Sequence, residues 1–176
     1  MKQKYIDLYM DWASRTAELS HAKRLHVGAV IVKDDTMISY GYNGMPAGWD
    51  NDCEYKEYMS NDAGGWLSAE EILEGWPYEG TYLDANGNTM QGRYKLKTKP
   101  EVLHAESNAL DKLAKRGGVG GADASMFITH APCLECAKSI YGAGIKNVYF
   151  RQQYRSDDGV EFLKKCSVNV SQHDNV

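Results

Sequence analysis

Tyr5, Leu8, Tyr9, Trp12, Ala13, Thr16 and Leu19 recur at spacings of three and four, the pattern of a helix with one buried stripe. Residues 27–32 form a valine-rich apolar run. After the turn-like Lys33-Asp34-Asp35-Thr36 a second run, 37–42, resumes it, and the two read as a β-hairpin. Between 49 and 99 the periodicity fails, as Gly64-Gly65, Trp66, Gly75-Trp76-Pro77 and Asp84-Ala85-Asn86-Gly87-Asn88 follow one another. This stretch reads as an irregular insertion with a helix near 68–73 and a hairpin turn at Asn86-Gly87. After Pro100 the pattern returns: Ala105, Ala109, Leu110 and Leu113 line one face of a helix that Gly117-Gly118 ends. Residues 124–129 read as a strand, 132–143 as a helix closed by Gly144, 147–151 as a strand and 167–170 as a last one. Strands alternating with helices imply an α/β layered domain in which some strands pair in parallel through right-handed crossovers.

A chain of 176 residues is long enough for one domain with a real core and short for two. The expectation is a single domain over 1–176 that carries the 49–99 insertion. Hydrophobic residues at 43% and charged residues at 25% place it among soluble globular proteins. No apolar run approaches the roughly 20 residues that span a bilayer, and Met1-Lys2-Gln3-Lys4-Tyr5 leads into an amphipathic segment, so a cytoplasmic location is expected and no membrane partner. Twenty basic against 24 acidic residues give a net charge of −4. That balance argues against holding a nucleic-acid polymer by counterion release, yet it suits a small nucleotide gripped by a few local cations.

The cysteines are Cys53, Cys133, Cys136 and Cys166. In a reducing compartment a C-x-x-C pair reads as metal-binding or redox-active rather than as a disulfide, and a lone Cys166 as a small buried hydrophobe. His104-Ala105-Glu106 and Pro132-Cys133-Leu134-Glu135-Cys136 each stand where a loop or strand enters a predicted helix. Pro132 suits the first helical position, and the two thiols, three apart, face the same side near the positive end of the helix dipole. Their lowered pKa and their spacing make them zinc ligands, and His104 as a third ligand leaves one open tetrahedral corner for water, as in a catalytic site. Glu106, two residues from His104, can move protons beside the metal without ligating it. A structural zinc site or a redox pair would account for neither Glu106 nor Pro132.

The order H-x-E followed by P-C-x-x-C is that of the zinc deaminases as a class. Residues 104–154 resemble the cytidine and deoxycytidylate deaminase superfamily. Val27-Gly28-Ala29-Val30-Ile31-Val32 and Gly41-Tyr42-Asn43-Gly44-Met45-Pro46-Ala47-Gly48 are similar to the deoxycytidylate deaminase family of phage and bacterial type. The matching segments cover about two-thirds of the chain, with the 49–99 insertion unmatched in detail.

The resemblance implies a three-layer α/β/α fold with a central mixed sheet, and hydrolysis of deoxycytidine monophosphate (dCMP) to dUMP and ammonia. It implies one catalytic Zn²⁺ on His104, Cys133 and Cys136, with Glu106 as the proton shuttle. Substrate contacts fall to Arg24 (phosphate), Asn43 (sugar), Ala105 and Tyr154 (phosphate). Activation by dCTP and inhibition by dTTP follow from it too, with Mg²⁺ accompanying the triphosphate, at a second site drawn from Gly41, Tyr42, Gly44, Pro46, Gly48 and Lys115 in a homo-oligomer, a hexamer. Close backbone approach at the glycines would suit the effector phosphates. Some members add a structural zinc, for which Cys53 and His21 are candidates, but no Cys or His stands between Cys53 and His104, so a second ion is not expected. For a phage-encoded chain the location becomes the host cytoplasm. The alternatives are a deaminase of another cytosine or adenine compound, such as free cytidine or adenosine in a tRNA, and a nucleotide-binding regulator on a deaminase scaffold.

Overall fold

The computed structural model describes residues 1–60, 67–117 and 120–173. Of the turn-forming positions named above, Gly64, Gly65, Trp66 and Gly118 lie outside the described residues. The chain divides into two compact units, Met1–Asn51 with Glu101–Val176, and Asp52–Pro100.

The larger unit is built on five strands: β1 (Gly28–Lys33), β2 (Thr36–Tyr42), β6 (Ser125–His130), β7 (Asn147–Gln152) and β8 (Asn169–Gln172), in the order β2-β1-β6-β7-β8. β1 pairs antiparallel with β2 and β6, whereas β6, β7 and β8 run parallel, so the sheet is mixed. The β1–β2 hairpin turns at Asp34 and Asp35, both at positive φ (49° and 58°), the mirror-image turn that matches strand twist. β1 and β6 are buried on both faces, which is why they read as continuous apolar runs instead of alternating ones.

One face meets helix α1 (Gln3–Ala17) through Tyr9, Met10, Ala13, Val30, Val32 and Phe127. The other face meets α3 (Ala105–Arg116), α4 (Leu134–Gly142) and α5 (Asp158–Lys165) through Ile31, Ala109, Met126, Ile128, Ile140 and Leu163. Helices on both faces of a mixed sheet make the expected three-layer α/β/α fold.

The details differ from the sequence pattern at several points. Helix α1 buries Ile6, Tyr9, Met10, Ala13, Thr16 and Ala17, while Leu8, Trp12 and Leu19 are exposed, so the stripe is rotated by about one residue. The cause lies on the strand: a Cβ on Gly28 would stand 2.1 Å from the Ala13 carbonyl oxygen, so α1 presses its small residues onto β1. Helix α5 has no counterpart among the predicted elements, and β8 begins two residues later than expected because α5 and the positive-φ Ser167 use the intervening chain. Cys166 is half-buried against the main core.

The smaller unit is not irregular. It holds β3 (Glu54–Tyr58), α2 (Ala69–Gly75), β4 (Tyr78–Leu83) and β5 (Thr89–Thr98), with an antiparallel sheet in the order β3-β5-β4. Ser68 and Glu71 form a full capping box at the start of α2, and the expected turn at Asn86-Gly87 joins β4 to β5. The sheet gathers Tyr58, Tyr78, Tyr82 and Tyr94 in ring contact. Gly80 and Gly92 make room for these rings, whose register a period-two count of apolar residues does not register as a strand signal.

Candidate metal and catalytic centre

His104 and Cys133 are the N-cap residues of α3 and α4, in extended conformation with ψ of 153° and 168°. Cys136 sits one turn into α4. Two helix N-termini therefore converge, and their free N–H groups and positive dipole ends favour anions there. The imidazole Nδ1 of His104 lies 3.6 Å from Cys133 Sγ and 3.4 Å from Cys136 Sγ. A tetrahedral ion at ordinary zinc–sulfur and zinc–nitrogen lengths sets that separation at about 3.6 Å. The donor set, two thiols and an imidazole, is also that of zinc, so these residues fit the ion. Among the described residues, the group of His, Cys, Asp and Glu close enough to share a metal is this one. His21 is exposed and Cys53 buried, each in its own unit.

Protonation follows from the geometry. The Cys133 thiol is pushed down to about 3, first by the proton that Cys136 shares with it and then by His104. Cys136 is pushed strongly up by the same shared proton and by burial. His104 is raised by the Cys133 sulfur. A divalent ion held by both sulfurs would displace their protons. Glu106, only 4% exposed, is the second residue of α3. Burial raises its carboxyl above the usual range, which brings it toward neutral pH, where proton transfer is most effective.

Several contacts outside the two motifs hold them together. Gly41 of β2 lies under α3, where a Cβ would stand 2.3 Å from the Ala105 carbonyl oxygen and 2.4 Å from the Ala109 nitrogen. The Asn108 amide donates to the Tyr42 carbonyl at 2.8 Å and the Ser39 hydroxyl to the Ala109 carbonyl at 2.6 Å, stitching α3 to β2. Gly44 and Leu103 exchange both backbone hydrogen bonds, so the turn at 43–48 is anchored next to His104. Pro132 is not the first helical residue: Cys133 intervenes as the cap, its carbonyl accepting the first helical bond from the Ala137 N–H.

Gly159 of α5 lies against that turn, where a Cβ would stand 2.1 Å from the Pro132 carbonyl oxygen and 2.9 Å from that of Cys133. Because the opposing atoms are backbone, Gly159→Ala is expected to cost about 1–3 kcal/mol in denaturant unfolding and to loosen metal retention through Cys133. Full stability in that variant would show that α5 does not brace the turn.

The remaining sequence-derived residues are placed as follows. Arg24 is exposed in the loop between α1 and β1. The Asn43 amide accepts from the Val27 N–H and donates to the Leu25 carbonyl, both at 2.8 Å, and thereby braces the segment that follows Arg24. Ala105 is buried as the first residue of α3. Tyr154 is half-buried against Ala131, Phe150 and Val160.

The residues named for the effector site lie in different surroundings. Gly41 gives its space to α3, and Gly44, buried, has both backbone groups taken by Leu103. Gly48, at φ 88° with nothing near its Cβ direction, is open. Pro46 accepts the Trp49 N–H in the same turn. Lys115 is exposed, whereas Lys112 one turn earlier lies over the rings of Tyr40 and Tyr42 at 4.7 and 5.1 Å. The i, i+2 tyrosines on β2 were the only local sign of that contact.

A mixed α/β/α sandwich that brings two thiols, an imidazole and a buried carboxyl to two helix N-termini is the frame of a zinc-dependent hydrolytic enzyme. The profile of the cytidine and deoxycytidylate deaminase zinc-binding region matches residues 3–152, and the chain belongs to this family. It is 34% identical over 136 residues to the deoxycytidylate deaminase of Enterobacteria phage T4, covering 73% of this chain and 67% of that one. It is 32% identical to ComE operon protein 2 of Bacillus subtilis over 87% of this chain, but spans only 62% of that protein's length. The dCMP deaminase of cyanophage S-TIM5, solved with dCMP and dUMP, superposes with a TM-score of 0.73 at 32% identity, covering 98% of this chain and 99% of that one. No helix among the described residues is long and apolar enough to cross a membrane.

Proposed function

We propose that this chain hydrolyses the exocyclic amine of dCMP, releasing dUMP and ammonia and so feeding thymidylate synthesis. The observation that carries this reading is the convergence of His104, Cys133 and Cys136 beside the buried carboxyl of Glu106. Zinc, held by those three side chains, would supply Lewis-acid activation of water at neutral pH. Glu106 moves the protons: it takes one from the attacking water and passes it to the ring nitrogen, then takes the second from the new C4 hydroxyl and gives it to the departing amine, leaving the C4 carbonyl and ammonia. Ala105, first in its helix, has a backbone N–H without an intrahelical acceptor, free to donate to the base. Arg24 and the Tyr154 hydroxyl meet the phosphate, the guanidinium offering a fork matched to its oxygens. Asn43 keeps a second amide hydrogen and lone pair for the sugar while it braces residues 25–27.

Regulation belongs to the same proposal. A triphosphate, dCTP as activator or dTTP as inhibitor and carrying Mg²⁺, would sit at the turn of Pro46 and Gly48 beside Tyr42, with Lys115 as its distal cation, in a homo-oligomer of six chains in the cytoplasm.

The test is ammonia release from dCMP, CMP, dCTP, deoxycytidine and cytidine, each with and without added dCTP or dTTP. Turnover confined to dCMP and altered by triphosphate is the expected result. Equal turnover of the free nucleosides would remove the role of Arg24, and no turnover of any cytosine compound would overturn the reading.

A further inference from the structure

Ser107 follows Glu106 on α3, and its hydroxyl lies 3.8 Å from Cys136 Sγ, within hydrogen-bond reach of a sulfur acceptor. We propose that Ser107 is a positioning residue for the metal centre, its hydroxyl donating to Cys136 once that sulfur is a ligand thiolate.

The two sulfurs have different surroundings. Cys133 is half-buried, while Cys136 is only 2% exposed and lies near the Glu106 carboxyl. A thiolate buried away from water needs a donor inside the protein, or its charge is left unsolvated. A ligand thiolate has no hydrogen to give, so in the metal centre Cys136 can only accept. A serine hydroxyl is a neutral rotor that can turn its hydrogen toward that sulfur without cancelling the negative charge the ion requires. The local alternative for Ser107, the Leu103 carbonyl one turn back, already accepts the Gly44 N–H at 3.1 Å. Partners of this kind hold a ligand's orientation, and their loss typically lowers metal affinity about 10- to 100-fold.

The inference rests on the metal reading above and is tested by a readout other than turnover. Zinc-loaded parent, Ser107→Ala and Ser107→Thr proteins are titrated with a chromophoric chelator. Ser107→Ala is expected to release zinc at roughly 10- to 100-fold lower chelator strength, and Ser107→Thr, which keeps the hydroxyl, to follow the parent. In the cobalt-substituted proteins the thiolate-to-metal charge-transfer band should move to lower energy in Ser107→Ala alone, since a hydrogen bond stabilises the sulfur electrons from which that transition starts. Equal zinc affinity and an unmoved band in Ser107→Ala would overturn the assignment, as would Ser107→Thr behaving like Ser107→Ala. A parent protein that takes up no zinc would overturn the metal reading as well, which separates the two failures.

Discussion

Replacing Glu106 by Gln is expected to lower dCMP turnover by roughly 10²- to 10⁴-fold while zinc content and fold are retained. The side chain is buried at the start of α3, and glutamine has nearly its volume, so packing against its neighbours is conserved. Burial already penalises the ionised carboxylate, and a neutral amide removes that penalty, so the thermal midpoint should not fall. What the amide cannot do is take up a proton and pass it on. Ammonia release at saturating dCMP, with elemental analysis of the same preparation, checks both halves. A variant that deaminates at the parent rate would end the assignment of Glu106 as the shuttle, and one that loses zinc would show that the carboxyl helps to hold the ion.

Removal of the metal has the second large effect. Cys136→Ala is expected to abolish zinc retention and turnover together, because two ligands cannot hold the ion against a buffer chelator. The parent should lose activity on dialysis against chelator and recover it with added zinc. Binding to the folded state alone contributes about 2.7 kcal/mol at a free metal concentration 100 times Kd, so chelation should lower the parent's thermal midpoint by roughly 5–10 °C. Cys136→Ala should show no such chelator-dependent shift. If chelation left the parent's midpoint and turnover unchanged, the three side chains would not be a metal centre.

The grouping of these side chains was legible because each half of it is local. Cys133 and Cys136 are brought together by one turn of α4, and His104 and Glu106 by the first turn of α3, so spacing along the chain is nearly spacing in the molecule. Much of the alternation of strands and helices was legible for the same reason, down to the Asp34-Asp35 turn and the short helix that follows Ser68. The face of α1 was not: Tyr5-Ile6 and Tyr9-Met10 put large residues side by side, so two neighbouring stripes are open to the helix, and Gly28 on another element decides between them. Helix α5 was missed because it is only eight residues long, with Val160, Phe162 and Leu163 its apolar side chains, too short a run to show a helical period.

The sequence by itself determined the chemical repertoire: which atoms can bind a soft divalent ion, which carboxyl stands beside them, and that helix starts present both. Tertiary structure decided how that repertoire is used. It set Gly41 and Gly159 as seats for α3 and for the Pro132–Cys133 turn, closed Gly44 against Leu103, laid Lys112 over the β2 tyrosines, and buried Cys136 next to Ser107. Each of these depends on which distant segments pack together, and burial is a property of the assembled core that no window of neighbouring residues contains.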